Sequence, residues 1–358
     1  MLRNHPTLRH IAGRAGWYFV TFLVAVTINF CLPRLGKGNP VDALLARAAG
    51  GGTVDAKAQL EKEKAYLKEF GLVELDGKGE VVLDGAGKPM RASLLGQFWS
   101  YLGMSLRGDL GTSILQHPKR VGEIIGNALP WTLALQFPTI VFGWIFGNLL
   151  GALAAYKRGA FDKIAYPLAL LASAIPAFCV GIGLVFVFGL KLGWFPASGG
   201  YDDGLVPTLS FEFFASASYY YVLPFLSVFL IVLGGQAIGM RSMCIYELGT
   251  DYVKYAKLLG IRENKILLYM FRNAMLPQLT GLALSLGAMV GGALITEIIF
   301  SYPGLGMAML TAIQGKDYPV ITGCTLLVTV TVLVANFSVD VLIGFLDPRI
   351  RAAQAGGK

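Results

Sequence analysis

The segment DYVKYAKLLGIRENKILLYMFRNAMLP, residues 251–277, is a charged island in an otherwise apolar part of the chain. The stretches on either side of it, Phe213–Met240 and Asn273–Thr296, contain no Asp, Glu, Lys or Arg. The charges of the island are mostly basic: Lys254, Lys257, Arg262, Lys265 and Arg272 against Asp251 and Glu263. A charged segment of this length between two membrane-length apolar stretches must lie outside the bilayer. Its apolar residues recur at helical spacing, which predicts a structured segment.

Composition places the chain among polytopic membrane proteins. Hydrophobic residues make up 55% of the 358 residues, charged residues 15%, and the mean hydropathy is +0.60. Soluble domains carry about 25% charged residues. The net charge of +8 fits cytoplasmic loops retained by Lys and Arg better than nucleic-acid binding. The four cysteines form no CxxC motif and the three histidines have no ligand-like spacing, so neither a disulfide framework nor a metal site is indicated.

Six almost charge-free windows reach the length of about 20 residues that a membrane-spanning helix needs. We place these spans at residues 15–33, 131–156, 164–190, 219–240, 277–299 and 318–343. The N-terminal segment 1–14, the loop after the second span, the island and the tail 344–358 are rich in Lys and Arg, whereas the opposing short loops are poorer in them. Since cytoplasmic loops carry this excess, we assign both termini to the cytoplasmic face of a multi-pass protein in the cell (inner or cytoplasmic) membrane.

The external segment 34–120 is charged, but long translocated loops escape the charge bias. Its part Val54–Phe70 predicts an amphipathic helix that Gly71 ends. Asp-Gly turn signals predict a small β-hairpin insert at about Leu72–Met90, and Leu94–Leu106 predicts an interfacial helix. This module would either dock a soluble binding protein or cover a pore, and the residues leave both open.

Three glycines of the second span recur every fourth residue, at Gly143, Gly147 and Gly151. At helical spacing they share one face, which permits another helix to approach closely. The spacing predicts tight helix packing without indicating a functional role.

The spans carry little chemistry of their own. Glu297 and Asp340 come nearest to being intramembrane charges, and both lie at span ends, so the acidic groups of a proton- or sodium-coupled carrier are missing. The fragment closest to a nucleotide-binding P-loop, residues 85–89, has Pro89 where a hydroxyl is needed. A transport component, a self-sufficient channel or carrier, and a membrane scaffold or enzyme stay open at this point, although we find no catalytic cluster for the last.

The island resembles the "EAA" loop of permease subunits of binding-protein-dependent ABC importers. That signature places a small residue four positions before a glycine and then, after an apolar stretch, a proline; here these are Ala256, Gly260 and Pro277. Lys254 stands at a position that is acidic in the signature, and Tyr255 at its first alanine. The pattern DYxxxAxxxG…RNAxLP is similar to the dipeptide/oligopeptide permease branch.

Three further segments match that branch in the expected order: GDLGTS at 108–113, EIIFSYPGLG at 297–306, and Asp340 followed by DPR at 347–349. The resemblance implies a type I ABC importer permease fold over residues 121–343, in an all-α polytopic membrane protein of six transmembrane helices with a small external α/β insert. It also implies an external gate or loop that includes Glu297, Pro303, Gly304 and Gly306.

In that family a helix of the loop docks in a cleft of the cytoplasmic ATPase and transmits its closure to the gate. The residues to which the resemblance assigns this coupling are Asp251, Tyr255, Ala256, Leu258, Leu259, Gly260, Arg272 and Pro277. The small Ala256 side chain would keep the helix slim enough to enter the groove of the partner. Gly260 would end the helix because it tolerates a left-handed turn.

The implied partners are a second homologous permease subunit, two cytoplasmic ATPase subunits or domains, an external substrate-binding protein and membrane lipids, without nucleic acid. The chain itself would be no enzyme and would hold no cofactor, with ATP and Mg²⁺ bound by the partner ATPase. Peptides are the implied substrate and oligosaccharides the alternative; nickel is less favoured because no His or Cys cluster supports it.

Overall fold

The computed structural model describes residues 6–31, 61, 64–68, 72–76, 80–85, 89–90, 92–157, 159–292 and 294–346. Within these residues the regular elements are helices. In chain order they are α1 (Pro6–Cys31), α2 (Leu94–Leu106), α3 (Val121–Lys157), α4 (Ala160–Ala174), α5 (Ala177–Leu184), α6 (Phe211–Leu248), α7 (Asp251–Leu258), α8 (Glu263–Gly292), α9 (Leu294–Ile299), α10 (Leu305–Gln314) and α11 (Tyr318–Leu346). A π-helical segment, Val185–Lys191, continues α5. The all-α fold is confirmed, while the DPR motif at 347–349 lies outside the described residues.

Five helices are long and apolar enough to cross a membrane: α1, α3, α6, α8 and α11. The bent pair formed by α4 and α5 with its π segment supplies a sixth apolar stretch. Several helices extend beyond the apolar windows, since a helix bonds its own backbone groups both inside and outside the bilayer. Thus α3 begins at Val121, and α8 runs from Glu263 through the predicted fifth span, whose last residues form α9.

The third predicted span is bent by 98° between α4 and α5. Ile175 is extended there, with φ −87° and ψ 129°, and Pro176 directly precedes α5. A proline ring clashes with a helical conformation of the residue before it, so Ile175-Pro176 ends one helix and starts the next. The bend is therefore a local consequence of sequence.

Despite the bend, this pair follows α6 along its length. Successive contacts pair Asp162 with Arg241, Ala169 with Gly234, Gly181 with Ser227, and Trp194 with Tyr219. Arg241 and Tyr219 lie about 33 Å apart along α6 at 1.5 Å per residue. The bent pair thus advances over a distance close to the roughly 30 Å thickness of a bilayer core.

The three glycines of α3 lie against α6, as their spacing predicts. A Cβ atom added at Gly147 would lie 2.6 Å from the carbonyl oxygen of Leu233, and one at Gly151 would lie 2.2 Å from that of Ala237. At Gly143 the same atom would lie 2.6 Å from the Val232 side chain. These separations leave no room for a side chain, so the backbones of α3 and α6 can approach only because glycine occupies all three positions.

The described residues divide into two compact units, which fall within residues 1–14, 129–307 and 331–358 for the first and 15–128 and 308–330 for the second. In the first unit one apolar cluster joins the ends of α3 and α6 to the start of α8; its buried members are Ala152, Ala155, Met240, Cys244, Met270 and Ala274. In the second unit the buried cluster consists of Val26, Leu102 and Leu326, from α1, α2 and the first part of α11.

The second unit also contains the predicted insert. Leu75 pairs with Val81 and Leu83 with Pro89, both antiparallel, so the described residues contain short bridges instead of extended strands. Beside the first bridge the Glu80 N–H donates to Asp76 Oδ1 at 2.8 Å, while residues 77–79 lie outside the described residues. Within the predicted helix 54–70, residues 61 and 64–68 are helical and the others lie outside the described residues.

Candidate coupling site and external loop

The island forms a short helix, α7, with a glycine-based end. The N–H of Gly260 donates to the Lys257 carbonyl at 3.0 Å, and the N–H of Ile261 donates to the Ala256 carbonyl at 3.1 Å. These two bonds make a Schellman motif, which needs a left-handed residue just past the helix. Gly260 has φ +68°, so its predicted role as helix stop is confirmed. Thr250 precedes the helix, but its hydroxyl donates back to the Glu247 carbonyl and does not cap α7.

One face of α7 packs inside the chain. Val253 and Ala256, three residues apart, are buried together with Ile266 of α8, and Ile261 packs against them. Ala256 therefore faces its own chain. The reason is geometric, because residues at i and i+3 share a face and the apolar pair turns toward α8. A small residue at 256 lets α7 lie close to α8, and whether its small size also lets α7 enter a partner's groove stays a prediction.

The opposite face of α7 and its end are open. Tyr255 is 68% exposed, Leu258 84% and Leu259 68%. Asp251 is also exposed at the first turn and pairs with Lys254 at 3.0 Å. Large apolar side chains this exposed on a helix with a net basic charge form a small apolar patch surrounded by charges. Such a patch is typical of a surface that another protein covers.

Two residues assigned to coupling lie further along α8. Arg272 and Pro277 are both exposed, and Pro277 lies inside the helix. The helix expected at 262–271 and the fifth span as far as Gly292 are therefore one continuous helix. The structure brings Tyr255, Leu258 and Leu259 together at α7, whereas Arg272 and Pro277 belong to the helix that carries it.

Helix α7 is held on a junction of three membrane-length helices. The α3–α6–α8 cluster lies directly beyond it, and the Tyr156 hydroxyl of α3 donates to Glu263 at the start of α8 at 2.8 Å. Tyr252 of α7 donates to Glu247 of α6 at 2.6 Å. Partial burial and then this bond to Glu247 raise the pKa of Tyr252, so the phenol is neutral at physiological pH. Helix α7 is thus attached to α6 and α8, and α8 is bonded in turn to α3.

Nearby, Arg241 ties α6 to α4. Its guanidinium makes two hydrogen bonds of 2.6 Å to the Asp162 carboxylate and lies 4.3 Å from the centre of the Tyr166 ring. Paired bonds of this kind fix direction as well as distance. The sequence offered one signal for this pair, a single arginine near the end of a long apolar stretch.

The loop predicted to be external gathers the four residues assigned to it around one buried carboxylate. Glu297 is fully buried, and its Oε2 accepts a 2.6 Å hydrogen bond from the N–H of Gly306. Beside it, Thr132 Oγ1 of α3 accepts the N–H of Leu305 at 2.9 Å. Gly306 and Leu305 begin α10, whose first N–H groups lack partners within the helix. Glu297 and Thr132 therefore cap α10.

The glycines of the loop leave room for this arrangement. A Cβ atom at Gly304 would lie 2.4 Å from the Glu297 carboxylate, and one at Gly306 would lie 2.3 Å from the Leu294 carbonyl oxygen. Pro303 lies against Gly200, where an added Cβ would be 2.6 Å from the proline ring. Tyr302 is buried in the same loop, and burial raises the pKa of its hydroxyl. Steric contacts thus explain why glycine occupies positions 304 and 306 of the motif.

A second buried carboxylate was not among the predicted site residues. Asp317, just before α11, accepts hydrogen bonds from the Ser113 hydroxyl at 2.5 Å and from the N–H groups of Ile114 and Leu115 at 3.1 and 2.9 Å. It thereby anchors the GDLGTS segment. An acidic residue directly before an apolar helix is a capping signal, so its position could have been recognised, but not its partner.

Within the described residues no group of three His, Cys, Asp or Glu side chains could hold a metal ion. The arrangement offers two features for contact with other proteins or helices. An exposed apolar patch lies at one end of α8, and the loop whose Glu297 caps α10 lies beyond its other end. Helix α8 separates them by about 44 Å of helix.

Comparison with known proteins gives the family. Residues 147–352, more than half of the chain and including α7, match the family model described as "Binding-protein-dependent transport system inner membrane component". The chain is 32% identical over 359 residues to the di/tripeptide transport system permease protein DppB of Pseudomonas aeruginosa (strain UCBPP-PA14), covering 96% of this chain and 99% of that protein. It is 32% identical over 257 residues to the glutathione transport system permease protein GsiC of Escherichia coli (strain K12), covering 71% of this chain and 79% of that protein. The chain belongs to the family of inner membrane components of binding-protein-dependent transport systems, and is a permease subunit of an ABC importer.

Proposed function

We propose that this permease imports short peptides and receives the work of ATP hydrolysis through α7. The observation that carries the proposal is the open face formed by Tyr255, Leu258 and Leu259 on a helix that is otherwise packed against α8 and hydrogen-bonded to α6. The sequence has no P-loop, so the free energy for transport has to enter from a separate ATPase with its own ATP and Mg²⁺. An exposed apolar patch on a rigid base suits that contact.

The orientation follows from charge and span count. The bent α4–α5 pair advances about 33 Å along α6, which supports one crossing and six spans in total. Six spans place both termini and α7 on one side. That side carries the basic N-terminal segment, Lys157 and Lys163, the island and the basic tail, so it is the cytoplasm.

In this orientation the Glu297 loop lies at the external end of α8. Because it caps α10 and packs against α3 through Thr132, it would join the external ends of several helices. We assign it to the external gate, with Glu297, Pro303, Gly304 and Gly306 holding the closed geometry. Movement of α8 at its α7 end would then be carried along α8 toward this loop.

The complete importer would contain a second permease subunit, two ATPase subunits or domains and an external binding protein. Two relatives are named for di/tripeptide and glutathione transport, and all of these substrates are short peptides. The spans of this chain carry few charges, so substrate would be handled by apolar, aromatic and backbone groups.

The coupling assignment is tested with Leu258→Ala. If the partner buries Leu258, truncation removes about 1.5–3 kcal/mol of contact energy, which lowers affinity for the ATPase roughly 10- to 150-fold. The matched control is Leu268→Ala in α8, where the leucine is similarly exposed but lies off α7. Binding of purified ATPase to the permease in nanodiscs is the measurement. Equal affinities for the two variants would refute docking on this face.

The substrate assignment is tested in proteoliposomes that contain the complete importer. Binding protein loaded with di- and tripeptides should stimulate ATP hydrolysis and uptake of labelled peptide, whereas oligosaccharides should do neither. If oligosaccharides stimulate and peptides do not, oligosaccharides are the cargo. The coupling assignment would not be affected by that result.

A further inference from the structure

Helix α2 has apolar residues both on the face that packs against the protein and on an exposed face beside it. The helix, LLGQFWSYLGMSL, contains no charged residue, and the charge-free stretch ends at Arg107. Phe98, Tyr101 and Leu102 turn toward α1 and α11. Beside them Leu95 is 73% exposed, Trp99 66% and Leu106 69%. At 100° per residue these three lie within about 40° of each other around the helix, so they form one open stripe.

The covered half of α2 is attached firmly. The ring of Phe30 lies 5.3 Å from that of Phe98 and 5.7 Å from that of Tyr101, measured between ring centres. Asn29 of α1 donates to the Tyr101 hydroxyl at 3.1 Å and to the Thr322 carbonyl of α11 at 2.9 Å. A buried asparagine thus joins all three helices, which fixes the position of α2 relative to two membrane spans.

The two spans give the depth of α2 independently. In α1, Val26 and Phe22 of the shared cluster lie about 8 and 14 Å inside the helix end at Cys31, at 1.5 Å per residue. In α11, Leu326 of the same cluster lies about 12 Å inside the start at Tyr318. Half of a bilayer core measures about 15 Å. Both spans therefore place the face of α2 that packs on α1 and α11 within one leaflet. This face lies deeper in the bilayer than the ends of the two spans.

We infer that α2 is embedded in the external leaflet and that Leu95, Trp99 and Leu106 contact lipid acyl chains. The external side follows from the orientation proposed above; the embedding itself rests only on the two spans. At 13 residues, or about 20 Å, α2 is too short to cross the bilayer. Trp99 suits the boundary between headgroups and acyl chains, and Arg107 at the helix end suits lipid phosphate. In α1, Val24 and Ile28 are also exposed, about 11 and 5 Å inside the helix end at Cys31.

The proposal is tested by spin labels in the complete importer in phospholipid vesicles. Leu95→Cys, Trp99→Cys and Leu106→Cys are labelled one at a time in a chain whose native cysteines are replaced by serine. Collisions with oxygen, which dissolves in lipid, are compared with collisions with a water-soluble nickel chelate. All three labels should favour oxygen, at a depth of about 5–10 Å below the headgroup boundary.

Two control positions calibrate the result. A label at Lys68, which is exposed outside the spans, should meet the nickel chelate, and one at buried Leu102 should meet neither reagent. Nickel access at the stripe equal to that at position 68 would overturn the proposal in favour of water. Exclusion of both reagents, as at position 102, would overturn it in favour of a protein neighbour such as the second permease.

A second measurement applies if labelled variants fail to assemble. Phospholipids brominated in the upper acyl chain quench tryptophan fluorescence on contact. The native chain should lose more fluorescence than Trp99→Phe in these lipids. Equal losses would show that Trp99 does not touch acyl chains and would overturn the proposal. Neither measurement depends on transport, so its failure is distinct from failure of the proposed coupling or cargo.

Discussion

Gly260 offers a prediction whose magnitude comes from backbone geometry alone. The residue has φ +68°, and an added Cβ atom would meet no atom within 4 Å. Gly260→Ala therefore introduces no collision, and its whole cost is that of a left-handed alanine, about 1–2 kcal/mol. That cost reduces the ratio of capped to frayed α7 ends roughly 5- to 30-fold.

Hydrogen–deuterium exchange at the Ile261 amide measures this change. In the native chain that N–H donates to the Ala256 carbonyl and is protected by the cap. In Gly260→Ala we expect its exchange, corrected for intrinsic rate, to accelerate by the same 5- to 30-fold. Affinity for the ATPase should also fall, but by no more than this factor, because Leu258 itself is retained.

Gly260→Asn is the matched control. Asparagine adopts the left-handed region more readily than other non-glycine residues, so it should lose less protection than alanine. The reasoning is refuted if alanine keeps native protection. It is equally refuted if asparagine and alanine exchange alike, since position 260 would then be selected for something other than its backbone angle.

Three further variants test contacts within the chain. Gly147→Leu should destabilise the protein in thermal unfolding by more than about 1–3 kcal/mol, because its Cβ would lie 2.6 Å from a backbone oxygen, while Gly235→Ala, in open space, should be tolerated. Asp317→Ala leaves buried N–H groups without an acceptor, at about 1–3 kcal/mol each, and should expose residues 108–120 to protease; unchanged cleavage would contradict the anchor. Asp162→Asn should lower the melting temperature. A double-mutant cycle with Arg241→Gln should find coupling between the two residues, and additive effects would contradict the ion pair.

The most predictable features are those that depend on neighbours in sequence. The apolar windows identify the spans because a bilayer excludes charge over about 30 Å, whatever the helices pack against. Gly260 predicts the end of α7 because the left-handed turn is a local property of one residue. The bend at Ile175-Pro176 has an equally local cause, although its angle of 98° was not expected.

Direction around a helix was harder to predict. Ala256 is a small residue in the right motif, and smallness suits either a partner's groove or close packing within the chain. Only the position of α8 shows that Ala256 packs with Val253 against Ile266. It also shows that Tyr255 and Leu258 form the open surface. A short helix of two turns has too few residues for its apolar pattern to select one face.

By itself, the sequence determined that this chain is a polytopic membrane protein with a basic loop at residues 251–277 and a helix that ends at Gly260. These properties follow from hydrophobicity, charge and backbone angles, which each residue carries with it. The tertiary structure alone decided that Glu297 caps α10 with Thr132, that Asp317 holds Ser113, and that Asn29 joins three helices. Thr132 lies 173 residues from Leu305, Ser113 lies 204 residues from Asp317, and Asn29 lies 293 residues from Thr322. A polar group that needs a hydrogen bond does not specify which distant residue will supply it.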